Sequence, residues 1–471
     1  MRVCLVIEGS YPFITGGVSS WVHELISGLP YVEFSLFTLS PEANQTLRYK
    51  LPPNVVELRD VVLTSRPSRS PAEPRRQRKR RVGGILMSHA RMFSGSGPSL
   101  DDLIAAIPEG CSMHRDSVMD RRAWRFVGAQ NGQRNPLYPF SDYFWAWKSA
   151  HDLVFNVLAA EPPEADVYHS LSTGFAGLAA LAAKLRRGKP FLLTEHGLYH
   201  KEREIEIRKA GFVRGYQRDL WIRFYNRIAR LCYGEADLCT SLFEENRWYQ
   251  LRLGADKSRT VVIPNGIDVE RYTVPREPRP DSFNVGFVGR VVPIKDVKTF
   301  IVAAKLVLER VPEARFYLVG PEDEDRRYAE ECHRLALDLK IDDRLEFTGR
   351  ADVRQYYSFL DVVVLTSVRE AQPLVILEAY AAGIPCVSTD VGNVSELLEG
   401  DRRFIAPPKD AAAIAEGIVY VHDHPDEMRA LAEHNRQRTV AEYDKRDLLK
   451  RYGDLYARFD PAPAEPAAGG D

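Results

Sequence analysis

The sequence predicts an α/β protein of two domains, each built on a parallel sheet with helices on both faces. Short apolar segments of strand length alternate with helical patterns along most of the chain, as is typical of doubly wound parallel sheets. The length of 471 residues exceeds the size at which a single hydrophobic core keeps growing. The segment VPREPRPD at 274–281, with three prolines and mixed charges, is the best candidate for a domain boundary.

The composition argues against several classes of protein. Hydrophobic residues make up 45% of the chain and charged residues 27%, with a formal net charge of −1, so no charge bias points to nucleic acid. The six cysteines are scattered without a C-x2-C pair, which is typical of reduced cysteines in a cytosolic protein. Because no apolar stretch approaches the ~20 residues of a membrane span, we expect a cytoplasmic protein that is neither exported by a standard signal nor integral to a membrane.

The first predicted domain, residues 1–273, begins with a strand over Arg2–Glu8 and a helix from about Ser20 to Leu29. Gly16 and Gly17 lie between them, at the carboxyl edge where open α/β sheets bind ligands. Neither a G-x-G-x-x-G nor a G-x4-G-K-[ST] pattern is present, so a simple turn is the alternative for this glycine pair. The further strand patterns of this half are EFSLFTL, VVELRDVVL, DVYHSLST, FLLTE, DLCTSL and TVVIP.

A basic insertion interrupts this domain at about 65–84. It is rich in proline, serine and arginine and has almost no apolar residues, which predicts a disordered surface segment. Its cluster of cations, RRQRKRR at 75–81, could contact anionic lipid or an acidic partner subunit. A solvated insertion without a role is the alternative.

Two further groups in this half are candidates for the site. An aromatic group at 138–147, YPFSDYFWAW, could line an acceptor cleft, but we interpret it as core. His169 and His196 each lie at or just past a strand end, where open α/β sheets bind their ligands. A histidine there is more often structural, and of the two we favour His196, which precedes Gly197.

The second predicted domain, residues 282–440, begins with the strand Phe283–Val288. Arg290 and Lys295 follow it, and a helix is predicted over 297–310. Two cations at the carboxyl end of a strand could neutralise a diphosphate, or they could form a surface salt bridge contributing at most about 1 kcal/mol. The acids Asp323 and Asp325 do not predict a metal site, because they directly precede a helix, where acids are common.

The segment 370–390, EAQPLVILEAYAAGIPCVSTD, follows the strand DVVVLTS at 361–367. Its helix start would present free N–H groups that attract phosphate, and Glu370 and Glu378 flank that start. Carboxylates beside an anion site are costly unless they bind hydroxyl groups. A sugar nucleotide supplies a diphosphate for the N–H groups and hydroxyl groups for the two acids, with Glu378 at the ribose and Glu370 at the hexose. The alternative is that the two are ordinary acids flanking a helix.

Four stretches together, EAQPLVILEAYAAGIP, VGRVVPIKD, IPNGID and the amino-terminal GGV, resemble the family 4 retaining glycosyltransferases of the GT-B type. The longer stretches IEGSYPFITGGVSSWVHELI and TEHGLYHKERE are similar to the PelF type within this family, which serves Pel exopolysaccharide synthesis. The resemblance implies two Rossmann-like domains facing across a cleft. It also implies that a terminal helix, 441–459, crosses back to the first domain; a disordered tail follows at 460–471.

The resemblance also implies roles for residues at the matching positions. Arg290 and Lys295 would hold the donor diphosphate, Glu378 the ribose, and Glu370 the transferred sugar, with His196 near the reactive side of that sugar. The remaining implied donor-binding residues are the loop under the phosphates, Gly16 and Gly17, and the backbone segment of Gln372, Pro373, Leu374 and Val375. Ala371-Gln372 departs from the broad family, where glycine and an apolar residue are common, but it agrees with the PelF type.

The implied activity is retaining, metal-independent transfer of a hexose from UDP-glucose or a UDP-N-acetylhexosamine to a growing exopolysaccharide or glycan acceptor. No cofactor or metal is expected. Inner-membrane subunits of a polysaccharide synthase complex are the implied protein partners, with the chain peripheral at the inner face of the membrane. Two alternatives stay open, a UDP-sugar epimerase and a non-catalytic UDP-sugar-binding subunit of such a complex.

Overall fold

The computed structural model describes residues 1–65, 74–94, 104, 107–112, 120–134, 139–211, 213 and 215–460. The chain divides into two compact units. The first comprises Met1–Val262 together with the chain from Tyr452 onward, and the second comprises Ile263–Arg451.

The first unit contains a seven-stranded sheet in the order β3-β2-β1-β4-β5-β6-β7. Every pairing in it is parallel. Its strands are β1 Arg2–Glu8, β2 Glu33–Ser40, β3 Val55–Val62, β4 Val167–Ser170, β5 Phe191–Glu195, β6 Leu238–Ser241 and β7 Thr260–Val262. Its helices are Gly17–Gly28, Arg75–Ser94, Arg121–Arg134, Phe140–Ala159, Phe175–Arg187, Tyr199–Lys209, Gly215–Glu235 and Glu244–Arg252, with a 3-10 turn at Lys257–Arg259.

The second unit contains a six-stranded sheet in the order β10-β9-β8-β11-β12-β13, again entirely parallel. Its strands are β8 Phe283–Val288, β9 Ala314–Val319, β10 Leu345–Gly349, β11 Val362–Leu365, β12 Cys386–Thr389 and β13 Ile405–Ala406. Its helices are Val269–Tyr272, Val297–Leu308, Arg326–Asp338, Val353–Tyr357, Leu374–Ala381, Val394–Leu397, Ala411–Asp423 and Pro425–Glu442, with a 3-10 turn at Pro293–Lys295.

The central strands are buried on both faces, because helices cover each sheet. All residues of β5, β8 and β11 are buried, as expected for strands whose sequences are mainly apolar. The predicted fold class, two parallel α/β sheets, is confirmed. In each sheet the strand order reverses next to one strand, β1 in the first sheet and β8 in the second. Ligands of open α/β sheets bind at the carboxyl edge of such a position.

The terminal helix, Lys445–Ala457, supplies the first unit with two buried tyrosines. The hydroxyl of Tyr456 lies 2.7 Å from Nδ1 of His169. The hydroxyl of Tyr452 lies 3.2 Å from Oγ1 of Thr194 and 3.1 Å from Oγ1 of Thr240. The predicted return of the terminal helix to the first domain is therefore confirmed.

The basic insertion differs from the predicted disordered segment at about 65–84. Arg75–Ser94 is a helix, and its residues Val82, Ile85 and Leu86 are buried. These apolar positions, spaced three or four residues apart, give the helix one face that packs inward. Residues 66–73 of the insertion and residues 461–471 of the predicted tail lie outside the described residues.

The aromatic group at 138–147 is only partly core. Tyr143 and Trp147 are buried as predicted, but Phe140 and Trp145 are exposed, so the interpretation as core was wrong for these two. They lie on the outward side of the helix Phe140–Ala159. Tyr138 is outside the described residues. Among the described residues, no helix combines the length and the apolar character needed to cross a membrane.

We predict that Tyr456→Phe destabilises the protein more than Tyr452→Phe. Loss of the Tyr456 hydroxyl leaves a buried nitrogen of His169 without its partner, which costs about 1–3 kcal/mol. Thr194 and Thr240 still bond each other at 2.7 Å when Tyr452 loses its hydroxyl, so that change should cost ~1 kcal/mol or less. Urea unfolding of both variants measures the difference, and equal losses would contradict this account.

Candidate functional site

Lys295 and Glu370 form an ion pair at the carboxyl edge of the second sheet. Lys295 ends the 3-10 turn that follows β8, and Glu370 lies in the loop that follows β11. Nζ of Lys295 lies 2.6 Å from Oε1 of Glu370, and each side chain is 18% exposed. The hydroxyl of Ser367 donates to the same carboxylate oxygen at 2.7 Å. The structure therefore brings together two of the predicted residues and adds Ser367, which the sequence analysis missed.

Backbone contacts fix the position of the Lys295 loop against the end of β11. The hydroxyl of Thr366 donates to the carbonyl oxygens of Lys295 and Asp296, at 3.1 and 2.9 Å. The backbone N–H of Val368 donates to the carbonyl of Ile294 at 2.9 Å. Thr366 is fully buried, so these bonds are shielded from water. They fix the backbone from which the Lys295 side chain reaches Glu370.

Arg290 forms an exposed ion pair with Glu324. Nη1 of Arg290 donates to both carboxylate oxygens of Glu324, at 2.6 and 2.7 Å, and about half of each side chain is exposed. The alternative weighed for Arg290, a surface salt bridge, describes its contacts in this structure. Sequence reasoning missed Glu324, which lies in the loop after β9. On either side of Glu324, Asp323 binds Arg350 and Asp325 caps the helix Arg326–Asp338, as its position before a helix predicted.

The helix Leu374–Ala381 begins shortly after Glu370 in the sequence and presents an open start. Pro373 occupies the position before the helix and no side chain of the described residues caps it. The first helical N–H with a backbone partner is that of Ile376, which donates to Pro373 at 3.1 Å. The N–H groups of Leu374 and Val375 are therefore oriented as donors for an anion.

The side chain of Gln372 serves the loop rather than a ligand. Its Oε1 accepts from the backbone N–H of Asn265 at 2.8 Å, and its Nε2 donates to the carbonyl of Asn265 at 3.1 Å. Asn265 belongs to the IPNGID stretch, so this buried amide ties that stretch to the start of the helix. Both ends of the Gln372 side chain are therefore engaged by the backbone of Asn265.

Glu378 lies one helical turn further on and is largely buried. The hydroxyl of Tyr357 donates to Oε2 of Glu378 at 3.1 Å, and Tyr272 donates a second hydrogen bond. Burial raises the pKa of Glu378, and the two phenol donors oppose that rise. The phenols hold the carboxyl group in one orientation, with lone pairs left for hydroxyl donors.

Gly392 and Asn393 support the Glu370 loop from the segment after β12. Gly392 has φ +56°, and a Cβ there would lie 2.1 Å from the carbonyl oxygen of Ala371 and 2.7 Å from that of Glu370. The N–H of Asn393 donates to the carbonyl of Ala371 at 3.0 Å. Asn393 is 3% exposed, yet neither Oδ1 nor Nδ2 has a hydrogen-bond partner in the described part of the chain. A buried amide without partners is costly, and no motif in the sequence marked this residue.

In the first unit, Trp21 connects the glycine loop with His196. Gly16 and Gly17 begin the helix that carries Trp21, and the ring of Trp21 lies 4.6 Å from that of His196 between centroids. A Cβ at Gly16 or Gly17 would meet no atom within 4 Å, so packing does not require glycine at either position. Nε2 of His196 is buried and has no partner among the described residues.

The two histidines of the first unit differ in their contacts. Burial lowers the pKa of His196 to about 4, so the imidazole is neutral near pH 7. His169 uses both ring nitrogens, one with Tyr456 and the other with Thr194 at 2.8 Å, so its role is structural. The preference for His196 over His169 as a functional residue stays a prediction.

Glu195, immediately before His196, is a fully buried acid that the sequence analysis did not single out. Its carboxyl oxygens accept hydrogen bonds from Thr173, Tyr233 and Gln250, at 3.0, 2.5 and 3.2 Å. Burial raises its pKa to about 7, against these donors. The network fixes the end of β5 and thereby the backbone that leads to His196.

We predict that Gly392→Ala destabilises the protein and disturbs the site, because the new methyl group would collide with the carbonyls of Ala371 and Glu370. Gly400→Ala is the matched control: Gly400 has φ +71° and open space around it, so the change costs only the left-handed backbone, about 1–2 kcal/mol. Gly392→Ala should cost about 1–3 kcal/mol more. Urea unfolding gives both values, and indistinguishable losses would refute the proposed support of the Glu370 loop.

Comparison with known proteins assigns a family to each half of the chain. Residues 1–258 match the family model described as "Domain of unknown function (DUF3492)". Residues 282–424 match the model described as "Glycosyl transferases group 1". The two matches lie in the first and second units respectively.

Curated relatives carry glycosyltransferase names. A D-inositol 3-phosphate glycosyltransferase of Actinosynnema mirum is 30% identical over 254 residues, which is 50% of this chain and 58% of that protein. The chain thus matches less than two thirds of that relative. An Escherichia coli protein named UDP-Gal:alpha-D-GlcNAc-diphosphoundecaprenol alpha-1,3-galactosyltransferase is 24% identical, over 62% of this chain and 75% of its own length.

Solved structures match nearly the whole chain. Anabaena HepE in complex with UDP superposes with a TM-score of 0.61 at 17% identity, covering 97% of this chain and 100% of its own. Sucrose-phosphate synthase of Thermosynechococcus elongatus gives 0.60 at 19% identity, covering 97% and 98%. At these identities the likeness establishes the fold, and it confirms the predicted GT-B class. The chain belongs to the DUF3492 family, and it joins that domain to a group 1 glycosyl transferase domain in its second unit.

Proposed function

We propose that the chain is a retaining, metal-independent glycosyltransferase that moves a hexose from a UDP-sugar to a growing exopolysaccharide or glycan acceptor. The observation that carries the proposal is the Lys295–Glu370 pair beside the open start of the helix Leu374–Ala381. A cation and free N–H groups suit a diphosphate, and a carboxylate suits sugar hydroxyls. The group 1 glycosyl transferase match over 282–424 supports the same activity.

Departure of UDP is the difficult step, because negative charge grows on the β-phosphate as the bond to the sugar breaks. Lys295 and the N–H groups of Leu374 and Val375 would stabilise that charge, with Arg290 as a further cation once it leaves Glu324. A bound diphosphate would compete with Glu370 for Lys295. Glu370 would then turn its oxygens to the hexose hydroxyls, with Ser367 still donating to it.

The same proposal places the ribose at Glu378. Its carboxyl group is held by Tyr357 and Tyr272, and ribose hydroxyls would satisfy its remaining lone pairs. From the first unit, the proposal assigns His196 to the reactive side of the sugar and Gly16 and Gly17 to the phosphates. The neutral imidazole of His196 suits a hydrogen bond with a sugar hydroxyl.

Retention requires no protein nucleophile in this scheme. The acceptor hydroxyl attacks the anomeric carbon from the face that UDP leaves, and a phosphate oxygen of the leaving UDP takes the acceptor proton. Glu370 orients the sugar, which is consistent with its commitment to Lys295 and Ser367. A glycosyl ester trapped on Glu370 would overturn this assignment.

A narrower form of the proposal follows the sequence resemblance to the PelF type. It names UDP-glucose, or a UDP-N-acetylhexosamine, as donor, a Pel-like polysaccharide as product, and inner-membrane synthase subunits as partners. Anabaena HepE has been solved with UDP-glucose, which supports UDP-glucose as the first donor to test. We also propose the domain limits expected from the sequence, which are 1–273 and 282–440 for the two domains and 441–459 for the terminal helix.

We predict that the purified protein releases UDP from one member of a panel of UDP-, GDP- and ADP-sugars, and that EDTA does not change the rate. Lys295→Ala should lower that rate by roughly a hundredfold to a thousandfold, because one donor to the leaving phosphate is lost. The matched control is Lys298→Ala. Lys298 lies three residues further on and pairs with the exposed Glu331, so its loss should leave the rate unchanged.

Other outcomes of this panel favour the alternatives. Interconversion of the free UDP-sugar without an acceptor would indicate an epimerase. Tight UDP-sugar binding with no turnover, even with acceptor extracts, would indicate a non-catalytic binding subunit. Equal loss of activity in Lys295→Ala and Lys298→Ala would refute the role given to Lys295.

We predict that Asn393→Ala weakens donor binding without weakening the fold. The Asn393 amide lacks hydrogen-bond partners in the described residues, so its removal should leave the free energy of unfolding unchanged or raise it. If the bound donor supplies the missing partners, the KM for the UDP-sugar should rise about tenfold, the effect of losing one good hydrogen bond. A lower unfolding free energy with an unchanged KM would assign Asn393 to the fold instead.

A further inference from the structure

Three aromatic side chains form an exposed patch on the first unit. Trp124 is 44%, Phe140 39% and Trp145 60% exposed. The ring of Trp124 lies 6.0 Å from that of Phe140 and stacks on Phe144 at 4.8 Å, and Phe144 in turn meets Trp145 at 5.5 Å, between centroids. The patch is therefore continuous across the helices Arg121–Arg134 and Phe140–Ala159.

Packing beneath the patch holds these rings at the surface. Val127 packs with Tyr143 and Trp147 between the two helices. Ala123 packs with Val82 and Leu86 of the helix Arg75–Ser94. The apolar faces of the three helices are thus already used, and the outward rings of Trp124, Phe140 and Trp145 are additional apolar surface.

Cations without an ion-pair partner among the described residues lie on the helix of Trp124 and on the neighbouring helix Arg75–Ser94. Arg76, Lys79 and Arg80 are exposed on the helix Arg75–Ser94 and make no ion pair with any described residue. Arg121 and Arg125, which flank Trp124 on its own helix, are likewise exposed and unpaired within the described ranges.

Two contacts connect the cations to the patch. Nη1 of Arg122 donates to the carbonyl of Lys79 at 2.6 Å, which joins the basic helix start to the helix of Trp124. Asp120 is already engaged by Arg122 at 3.1 Å and lies near Arg78 at 3.9 Å. Asp142, in the first turn after Phe140, is an exposed acid beside the patch.

The cations lie at the N-terminal end of their helix, where their electrostatic energy is unfavourable when no anion is bound. The helix Arg75–Ser94 begins with RRQRKRR and has no acid in its first turn. The positive end of the helix dipole repels cations, and the neighbouring charges repel one another. This arrangement is stabilised when an anionic surface faces it.

We propose that these residues, hereafter the aromatic–basic surface, dock the chain on a membrane that carries anionic phospholipids. Exposed tryptophan and phenylalanine rings enter the interfacial region of a bilayer, and arginine and lysine bind its anionic headgroups. Lipid headgroups move laterally and can meet each scattered cation. A folded protein partner would instead need an acid fixed opposite every one. The inference is independent of the proposed activity.

The test is flotation of the purified full chain with vesicles, without any sugar donor. The protein should float with vesicles of equimolar phosphatidylcholine and phosphatidylglycerol but not with phosphatidylcholine alone, and added salt should release it. The charge reversal Arg76→Glu/Arg80→Glu should weaken binding at least ~tenfold. The double variant Trp124→Ala/Trp145→Ala should weaken it to a similar degree.

Matched controls lie outside the aromatic–basic surface. Trp248 is exposed on the helix Glu244–Arg252, and Arg327 is exposed on the second unit, so Trp248→Ala and Arg327→Glu should bind vesicles like the unaltered chain. Thermal unfolding of every variant checks the fold. In a second measurement, brominated phospholipids should quench the fluorescence of the unaltered chain more than that of Trp124→Phe/Trp145→Phe.

Two results would overturn the proposal. One is equal binding of the unaltered chain and both surface variants to anionic vesicles, since another part of the chain would then be responsible. The other is absence of vesicle binding by the unaltered chain. If the same arginines then bind a purified acidic protein, the surface serves a protein partner.

Discussion

The candidate site depends on the bonds that the Thr366 hydroxyl makes to the carbonyls of Lys295 and Asp296. Parallel strands bring the loops after β8 and β11 to one edge, but strand pairing alone leaves both loops adjustable. A buried hydroxyl at the end of β11 removes that freedom. Lys295 can then face Glu370 at contact distance, beside the helix start that offers N–H groups. Without this link Lys295, the cation that we propose for the donor diphosphate, would lack a fixed position at this edge.

Much of the fold could be predicted because buried parallel strands have continuous apolar sequences. The bounds of β1 and β8 match the predicted segments Arg2–Glu8 and Phe283–Val288. The helix at Arg75–Ser94 was missed because its first turns are almost entirely basic, and its apolar face becomes evident only where Val82 and Leu86 meet Ala123. The local composition reflects only the exposed side of that helix, and nothing in it indicates the helix against which the buried side packs.

The candidate site was less predictable than the fold. The helix start and the two acids, Glu370 and Glu378, could be located from their spacing in the sequence, because helices and strands have regular geometry. The partner of Gln372 lies 107 residues away, and that of Arg290 lies 34 away, in loops whose sequences have no shared pattern. Asn393 was missed for a further reason. Its distinguishing property is that its buried side chain has no hydrogen-bond partner within the part of the chain that the structure describes, and no sequence pattern reveals that.

The terminal tyrosines have a consequence for biosynthesis. The core of the first unit includes Tyr452 and Tyr456, which are translated after the entire second unit. While the ribosome is still making that unit, His169 and Thr194 lack the tyrosine hydroxyls that they bond in the folded protein. The part of the protein that is synthesised first can therefore complete its core only after the second unit has been translated, and until then it exposes surface that the folded protein buries.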